Sequence, residues 1–250
     1  MKPFLLLALA GAAWGQFVAD PASVPRTLKP PVVFLNGYQM SCPASGLGER
    51  THFASTFGIA DQVLERNGQV TLFFDNCLFP GVSIEELGNR FGQFLTRLRY
   101  TDGQPVTQID AVAHSMGGLI LRSYLSGKQA GEGVFQPPAE VPIRKAVFLG
   151  TPHFGAAVAV FGAATPQVTA LTPGSAFLFD LATWNQGTDD LRGVDAIAVA
   201  GNAGTDLPVF GLERRAGFDD GVVSLTSASL GFALGDRTRI VPYCHTELPE

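Results

Sequence analysis

The sequence predicts an α/β fold built on parallel strands. Short apolar runs such as Val32 to Leu35 and Leu72 to Phe74 alternate with stretches whose apolar residues recur at helical spacing. Strands that are apolar at every position belong to sheets buried on both faces. The stretch from Gln108 to Leu121 then reads as strand, abrupt turn and helix. An apolar run ends in a small-x-Ser-x-Gly pentad around Ser115, and Leu119, Ile120, Leu121, Tyr124 and Leu125 follow at helical spacing.

At 250 residues, 46% hydrophobic and only 16% charged, the chain can bury one sizeable core and reads as one domain over residues 16–250. A net charge of −5 without a basic cluster excludes nucleic acid as a partner, because neutralising phosphates takes Lys and Arg on one face. Lys2 precedes an apolar run from Phe4 to Ala13, and Ala13 and Gly15 stand at the minus-three and minus-one positions before Gln16. Residues 1–15 therefore read as a secretory signal peptide, and the mature chain is expected to be secreted or periplasmic. The apolar run is shorter than the roughly 20 residues of a membrane span, so no integral span is expected. Cys42, Cys77 and Cys244 would meet an oxidising compartment, where one of the three stays unpaired in a monomer. With no CxxC or His-rich spacing, they suggest no metal site.

Taken in order, residues 16–31 hold Pro21, Pro25, Pro30 and Pro31 and are poor strand material. Pro31 to Tyr38 is a buried strand ending in Asn36-Gly37. Between Gly48 and Asn67 helical spacing emerges late, at Phe57, Ile59, Val63 and Leu64, and Asn67-Gly68 stops it. Gln69 to Asn76 is the next strand. Ser83 with Glu86 reads as a capping box, opening a helix through Leu87, Phe91, Phe94, Leu95 and Leu98. After the Ser115 turn and its helix, Arg144 to Leu149 is a strand leading into Gly150-Thr151-Pro152-His153-Phe154-Gly155. Ala156 to Ala170 is nearly free of charge, and a helix through Phe177, Leu178, Leu181 and Trp184 follows Ser175. So apolar a segment either meets an apolar ligand or packs as a core helix. Val194 to Asn202 and Arg239 to Tyr243 complete the strands.

A serine on a tight strand-to-helix turn projects its hydroxyl out of the sheet, and small residues such as Ala113 and Gly117 must flank it. The helix that follows aims its N-terminal N–H groups at any oxyanion formed there. With its Ala-His-Ser-Met-Gly-Gly run from Ala113 to Gly118, the chain resembles the α/β-hydrolases, and among them the secreted lipases and esterases. Ala113 stands where the family usually has glycine. The Gly-Thr-Pro-His-x-Gly run and Asp219-Asp220-Gly221-Val222-Val223, similar to a lipase Asn-Asp-Gly-x-Val run, lie in the order this family uses. The resemblance implies a reduced core of about six parallel strands with helices on both faces, and a short apolar cover at about 156–190.

Serine is a weak nucleophile until an imidazole takes its proton, and that imidazole needs an orienting carboxylate. Of the four histidines, His52 lies early in a helical region, His114 abuts the serine on the wrong side of the turn, and His153 is read as structural or at the rim. His245 remains, after the last strand. The resemblance implies Ser115, Asp220 and His245 as the triad, with Asp219 as the alternative acid, and the N–H groups of Tyr38 and Met116 as the oxyanion hole. Asn36 takes the place of the family's His, which leaves that backbone role intact.

The implied activity is a serine carboxylester hydrolase, a lipase or esterase acting on apolar acyl esters or lipids through an acyl-enzyme. No cofactor and no metal are called for, and a monomer is expected. An acyltransferase or a polyester depolymerase would share the triad, and a binding protein on the same scaffold would lack one of its members. In this fold the strands ending at Asn36 and Asn76 are parallel neighbours, so a Cys42–Cys77 disulfide is expected, and Cys244, several strands away, is expected to stay free.

Overall fold

The computed structural model describes residues 16–40, 42, 48–162, 164–185, 190–204, 218–229 and 236–250; the leader expected at 1–15 lies outside them. Six parallel strands form one sheet, β1 (Val32–Leu35), β2 (Thr71–Phe74), β3 (Ile109–His114), β4 (Ile143–Leu149), β5 (Asp195–Gly201) and β6 (Thr238–Val241), in the order β2-β1-β3-β4-β5-β6. The first strands carry apolar residues on both sides because both of their faces are covered. Val33, Leu35, Leu72 and Phe74 point into the main core, while Val32, Phe34 and Phe73 point the other way into a second cluster with Phe53 and Phe57. That second cluster is built from edge-on ring pairs, Phe34 with Phe53 at 5.0 Å and with Phe57 at 4.8 Å between centroids.

Helices α1 (Glu49–Phe57) and α2 (Ala60–Arg66) cover the β1–β2 side of that face. Helical spacing emerged late in this stretch of sequence, but the helix starts at Glu49 and breaks at Gly58, whose φ of 52° interrupts the backbone ladder. Ile59 and Val63 are consequently exposed. Further along the same face, β3 to β6 carry half-exposed Val112 and Val147 and a row of charges, with Arg144 paired to Asp110 at 2.6 Å and Arg237 paired to Asp195.

The opposite face is packed by α3 (Ile84–Arg97) and α4 (Met116–Ser126). Helix α3 begins where Ser83 Oγ accepts the Glu86 N–H at 3.3 Å, and it sets Ile84, Leu87, Phe91, Phe94 and Leu95 into the core. Glu86 pairs with Arg90 one turn on, at 2.9 Å. Helix α4 ends on Gly127 in the left-handed region, φ 62°.

In the apolar stretch after β4, two helices form, α5 (Pro166–Leu171) and α6 (Ala176–Thr183), and α5 had no periodic signature in the sequence. Its start is local chemistry, with Thr165 capping Val168 N–H and Pro166 at the first helical position. Leu171, Phe177, Leu178 and Leu181 join the main core, while Val158, Val160 and Phe179 stay exposed. A buried ion pair, Lys128 Nζ to Asp180 Oδ2 at 3.0 Å, ties α6 to the loop after α4. The short α7 (Leu225–Ala228) follows a Ser224 cap. Residues 16–31 form no named strand, only bridges from Phe17 to Thr71 and from Val24 to Tyr100.

A disulfide joins Cys42 and Cys77 with Cα atoms 5.6 Å apart, and Cys244 is a free thiol. The bond closes a loop of sequence separation 35. By the chain-entropy relation a loop of that length is worth about 4 kcal/mol. The Cys42→Ser/Cys77→Ser variant is expected to lose stability of that order in equilibrium urea unfolding, and an unchanged midpoint would show that the bond does not restrain the unfolded chain.

Candidate active site

Ser115 occupies the turn between β3 and α4 with φ 53° and ψ −126°. For a residue with a Cβ this conformation costs about 1–3 kcal/mol, and it persists only where surrounding packing dictates it. Here the packing is close: a Cβ on Gly117 would fall 2.5 Å from the carbonyl oxygen of Leu35. The serine hydroxyl is thereby held at the C-terminal edge of the sheet, at the head of α4.

His245 follows β6, and its Nε2 lies 2.8 Å from Ser115 Oγ. Its Nδ1 lies 2.8 Å from Asp220 Oδ2. With Nδ1–H donating to the carboxylate, Nε2 carries the lone pair that faces the serine hydroxyl. Asp220, 1% exposed, is fully partnered: Oδ1 accepts the N–H of Val222 at 3.0 Å and of Val223 at 2.7 Å. Backbone also joins the two residues, His245 N–H donating to Asp220 O at 2.8 Å. Asp219 turns elsewhere, its Oδ1 accepting Gly221 N–H at 2.8 Å. Room for the pair comes from Gly150 at the end of β4, where a Cβ would lie 3.0 Å from Asp220 Oδ2 and 3.1 Å from His245 Nδ1.

From the neighbouring strand end Gly37 stands against the serine, a Cβ there falling 2.8 Å from Ser115 Cβ, and Tyr38 follows it; β1 and β3 are paired with Leu35 beside Ala113. Met116 is the first residue of α4, so its N–H has no acceptor within the helix, and the helix dipole adds partial positive charge there.

The remaining histidines each have a place. His114 is buried, and its Nε2–H donates to the carbonyl of His245 at 3.0 Å, so it holds the backbone of the neighbouring imidazole. Burial first, and the charge of His245 second, push its pKa down from 6.5 to about 3, so it stays neutral. His153 lies inside the protein at 0% exposure, which corrects the rim reading; its ring packs edge-on against Phe148 at 5.0 Å. Neither of its ring nitrogens has a hydrogen-bond partner among the described residues. Burial, and then the Arg122 guanidinium, hold its pKa well below the usual value.

His52, passed over in the sequence because it sits on a helix, is buried with Nδ1 2.5 Å from Asp75 Oδ2. Ligand atoms of His52, Asp75 and Cys77 lie within 4.8 Å of one another. A metal would need the Cys77 thiolate, which is committed to the disulfide. Sequence reading also passed over Asn76. The one sign of it was its place just beyond a strand, mirroring Asn36.

This chain has the α/β-hydrolase fold. Its structure is similar to the mature form of the lipase BlEst2 from Bacillus licheniformis, with a TM-score of 0.60 and 18% identity over 92% of this chain and 91% of that one. It is also similar to the phospholipase PlaB from Legionella pneumophila, solved in complex with thio-NAD, with a TM-score of 0.57 and 19% identity over 81% of this chain and 44% of that one. A third similar structure is the metagenomic carboxyl esterase MGS0156, with a TM-score of 0.53 and 12% identity over 89% of this chain and 66% of that one. No family model matches the sequence, and no curated protein matches it.

Two imidazoles kept neutral by burial set a sign for acid stability. Unfolded, His114 and His153 bind protons below about 6.5, whereas folded they do not, so the unfolded state is favoured as pH falls through that window, by about 1.4 kcal/mol per pH unit for each. Stability to urea is expected to decline between pH 6.5 and pH 4.5, and His153→Leu is expected to flatten the decline. An identical slope in the variant would show that His153 is protonated in the folded protein.

Proposed function

We propose that this protein is an exported serine carboxylester hydrolase of the lipase or esterase type, working through an acyl-enzyme. The observation that carries the reading is the unbroken line from Ser115 Oγ to His245 to the buried Asp220 carboxylate, each step 2.8 Å, on a strained strand-to-helix turn. In that arrangement His245 Nε2 takes the proton as Ser115 Oγ attacks the ester carbonyl. Asp220 holds the tautomer and stabilises the imidazolium. The carbonyl oxygen, now negative, is met by the N–H groups of Tyr38 and Met116. The imidazolium then gives its proton to the leaving alcohol, and water repeats the sequence on the acyl-enzyme.

An apolar acyl group suits the surroundings. A cavity of about 260 Å³ opens beside Tyr38, lined by Met40, Pro80 and Pro166 together with the amides of Gln39 and Gln167, and among the described residues no charged side chain lines it. Solved proteins of this fold with the names lipase, phospholipase and carboxyl esterase lend support. Export accords with the disulfide and with the leader read at 1–15. No helix among the described residues is long and apolar enough to cross a membrane.

A panel of p-nitrophenyl esters from short to long acyl chains tests the reading. Wild type is expected to hydrolyse the panel and to be labelled by a fluorophosphonate at Ser115, and Ser115→Ala to do neither. Labelling at another serine, or undiminished turnover in the variant, sinks the assignment.

The acid has its own test. Asp220→Asn is expected to lose kcat by roughly the 10⁴-fold that loss of the orienting carboxylate costs in serine proteases, while Asp219→Asn stays near wild type. The reverse ranking moves the acid by one residue.

A further inference from the structure

Tyr38 lies on the loop after β1, and a side chain from the neighbouring strand end fixes the peptide planes of that loop. Asn76 is buried just beyond β2. Its backbone N–H donates to Asn36 Oδ1 at 3.1 Å, and its Nδ2 donates to Gly37 O at 2.7 Å and to Asn36 O at 3.3 Å. In a trans peptide the C=O of one residue and the N–H of the next point in opposite directions. In the sheet, β1 stands between β2 and β3. A Gly37 carbonyl drawn toward Asn76, on the β2 side, therefore turns the Tyr38 N–H toward the β3 side, where Ser115 stands. Gly37 itself is hard against the serine, since a Cβ there would lie 2.8 Å from Ser115 Cβ.

We propose that Asn76 is a positioning residue for the oxyanion site: its side-chain amide holds the Gly37–Tyr38 peptide so that the Tyr38 N–H faces the oxygen that becomes negative at Ser115. The inference rests on the hydrolase reading of the site. Asn76 is itself held firmly, because it opens a 3-10 turn, Asn76–Leu78, whose entry and exit are both anchored. Asp75 Oδ1 accepts the Cys77 N–H at 2.9 Å, Asp75 Oδ2 meets His52 Nδ1 at 2.5 Å, and Cys77 is bonded to Cys42. A residue that merely stapled the loop would affect stability without selecting the transition state. One that aims an oxyanion donor acts on the transition state and leaves substrate binding alone.

Asn76→Asp keeps the shape and removes the donor to Gly37 O. In the folded full-length protein kcat is expected to fall by about 10²-fold, the lower end of what loss of one oxyanion donor costs, with KM changing far less than kcat. Affinity for a trifluoromethyl ketone, which forms a tetrahedral oxyanion on the serine, should fall in proportion. Replacing Tyr38 by its α-hydroxy acid makes the 37–38 link an ester and deletes the same N–H directly. Combined with Asn76→Asp it should lose no more than it does alone, because both changes act through one group. If Asn76→Asp does not fold, Asn76→Ser enters the same cycle. Wild-type kcat in a folded Asn76 variant, or losses that multiply in the combination, overturn the proposal. A wild type that hydrolyses no ester strikes instead at the hydrolase reading, so the two failures are told apart.

Discussion

All six strands run the same way, so every strand's C-terminal end opens onto one edge of the sheet, and every group of the candidate site stands on that edge. Gly37 and Tyr38 follow β1, Asp75 and Asn76 follow β2, and Ser115 follows β3. Gly150 follows β4, Asp220 lies beyond β5, and His245 lies beyond β6. Parallel alignment turns positions far apart in sequence, 130 residues in the case of Ser115 and His245, into hydrogen-bonded neighbours. Ligand sites in open α/β sheets gather at this edge for the same reason. Without the sheet, no one of these loops has anything to face.

Burying so many polar groups at one edge demands that they satisfy one another. Asp220 meets that demand with two backbone N–H donors and His245, and Asn76 meets it with the carbonyls of the β1 loop. Fixed donors there take the place of the water that cannot reach the buried carboxylate. His114 shows the complementary device. Its burial keeps it uncharged beside His245, where it holds the backbone of that residue.

The segment between β4 and β5 supplies core residues and also leaves apolar side chains exposed. Leu171, Phe177 and Leu181 are core residues, while Val158, Val160 and Phe179 on the same segment face outward. An apolar composition without clear periodicity fits both, since helices α5 and α6 bury one side and leave apolar atoms on the other. The Lys128–Asp180 pair, out of water, then fixes where α6 docks.

The sequence by itself determined the class of fold, the strands and the tight turn at Ser115, because these rest on local physics: apolar runs, helical periodicity, and small residues around a serine on a tight turn. It also offered Asp220 and His245, as the carboxylate and the imidazole standing in suitable chain order. Tertiary structure decided what depends on distance between strands. His52 looked like an ordinary helical residue and is paired with Asp75 across to β2; His153 looked like a loop residue and lies at the centre of the packing. Asn36 and Asn76 read as unremarkable strand ends, and only the register that sets Leu35 beside Phe74 brings them together. The helix start at Glu49, which has no side-chain cap, left no trace in hydrophobic periodicity, and the start at Pro166 rests on the local Thr165 cap that periodicity does not report. Periodicity reports which side of an element is buried. Which polar groups meet across a buried edge is set by the sheet order, and that order is a property of the folded chain.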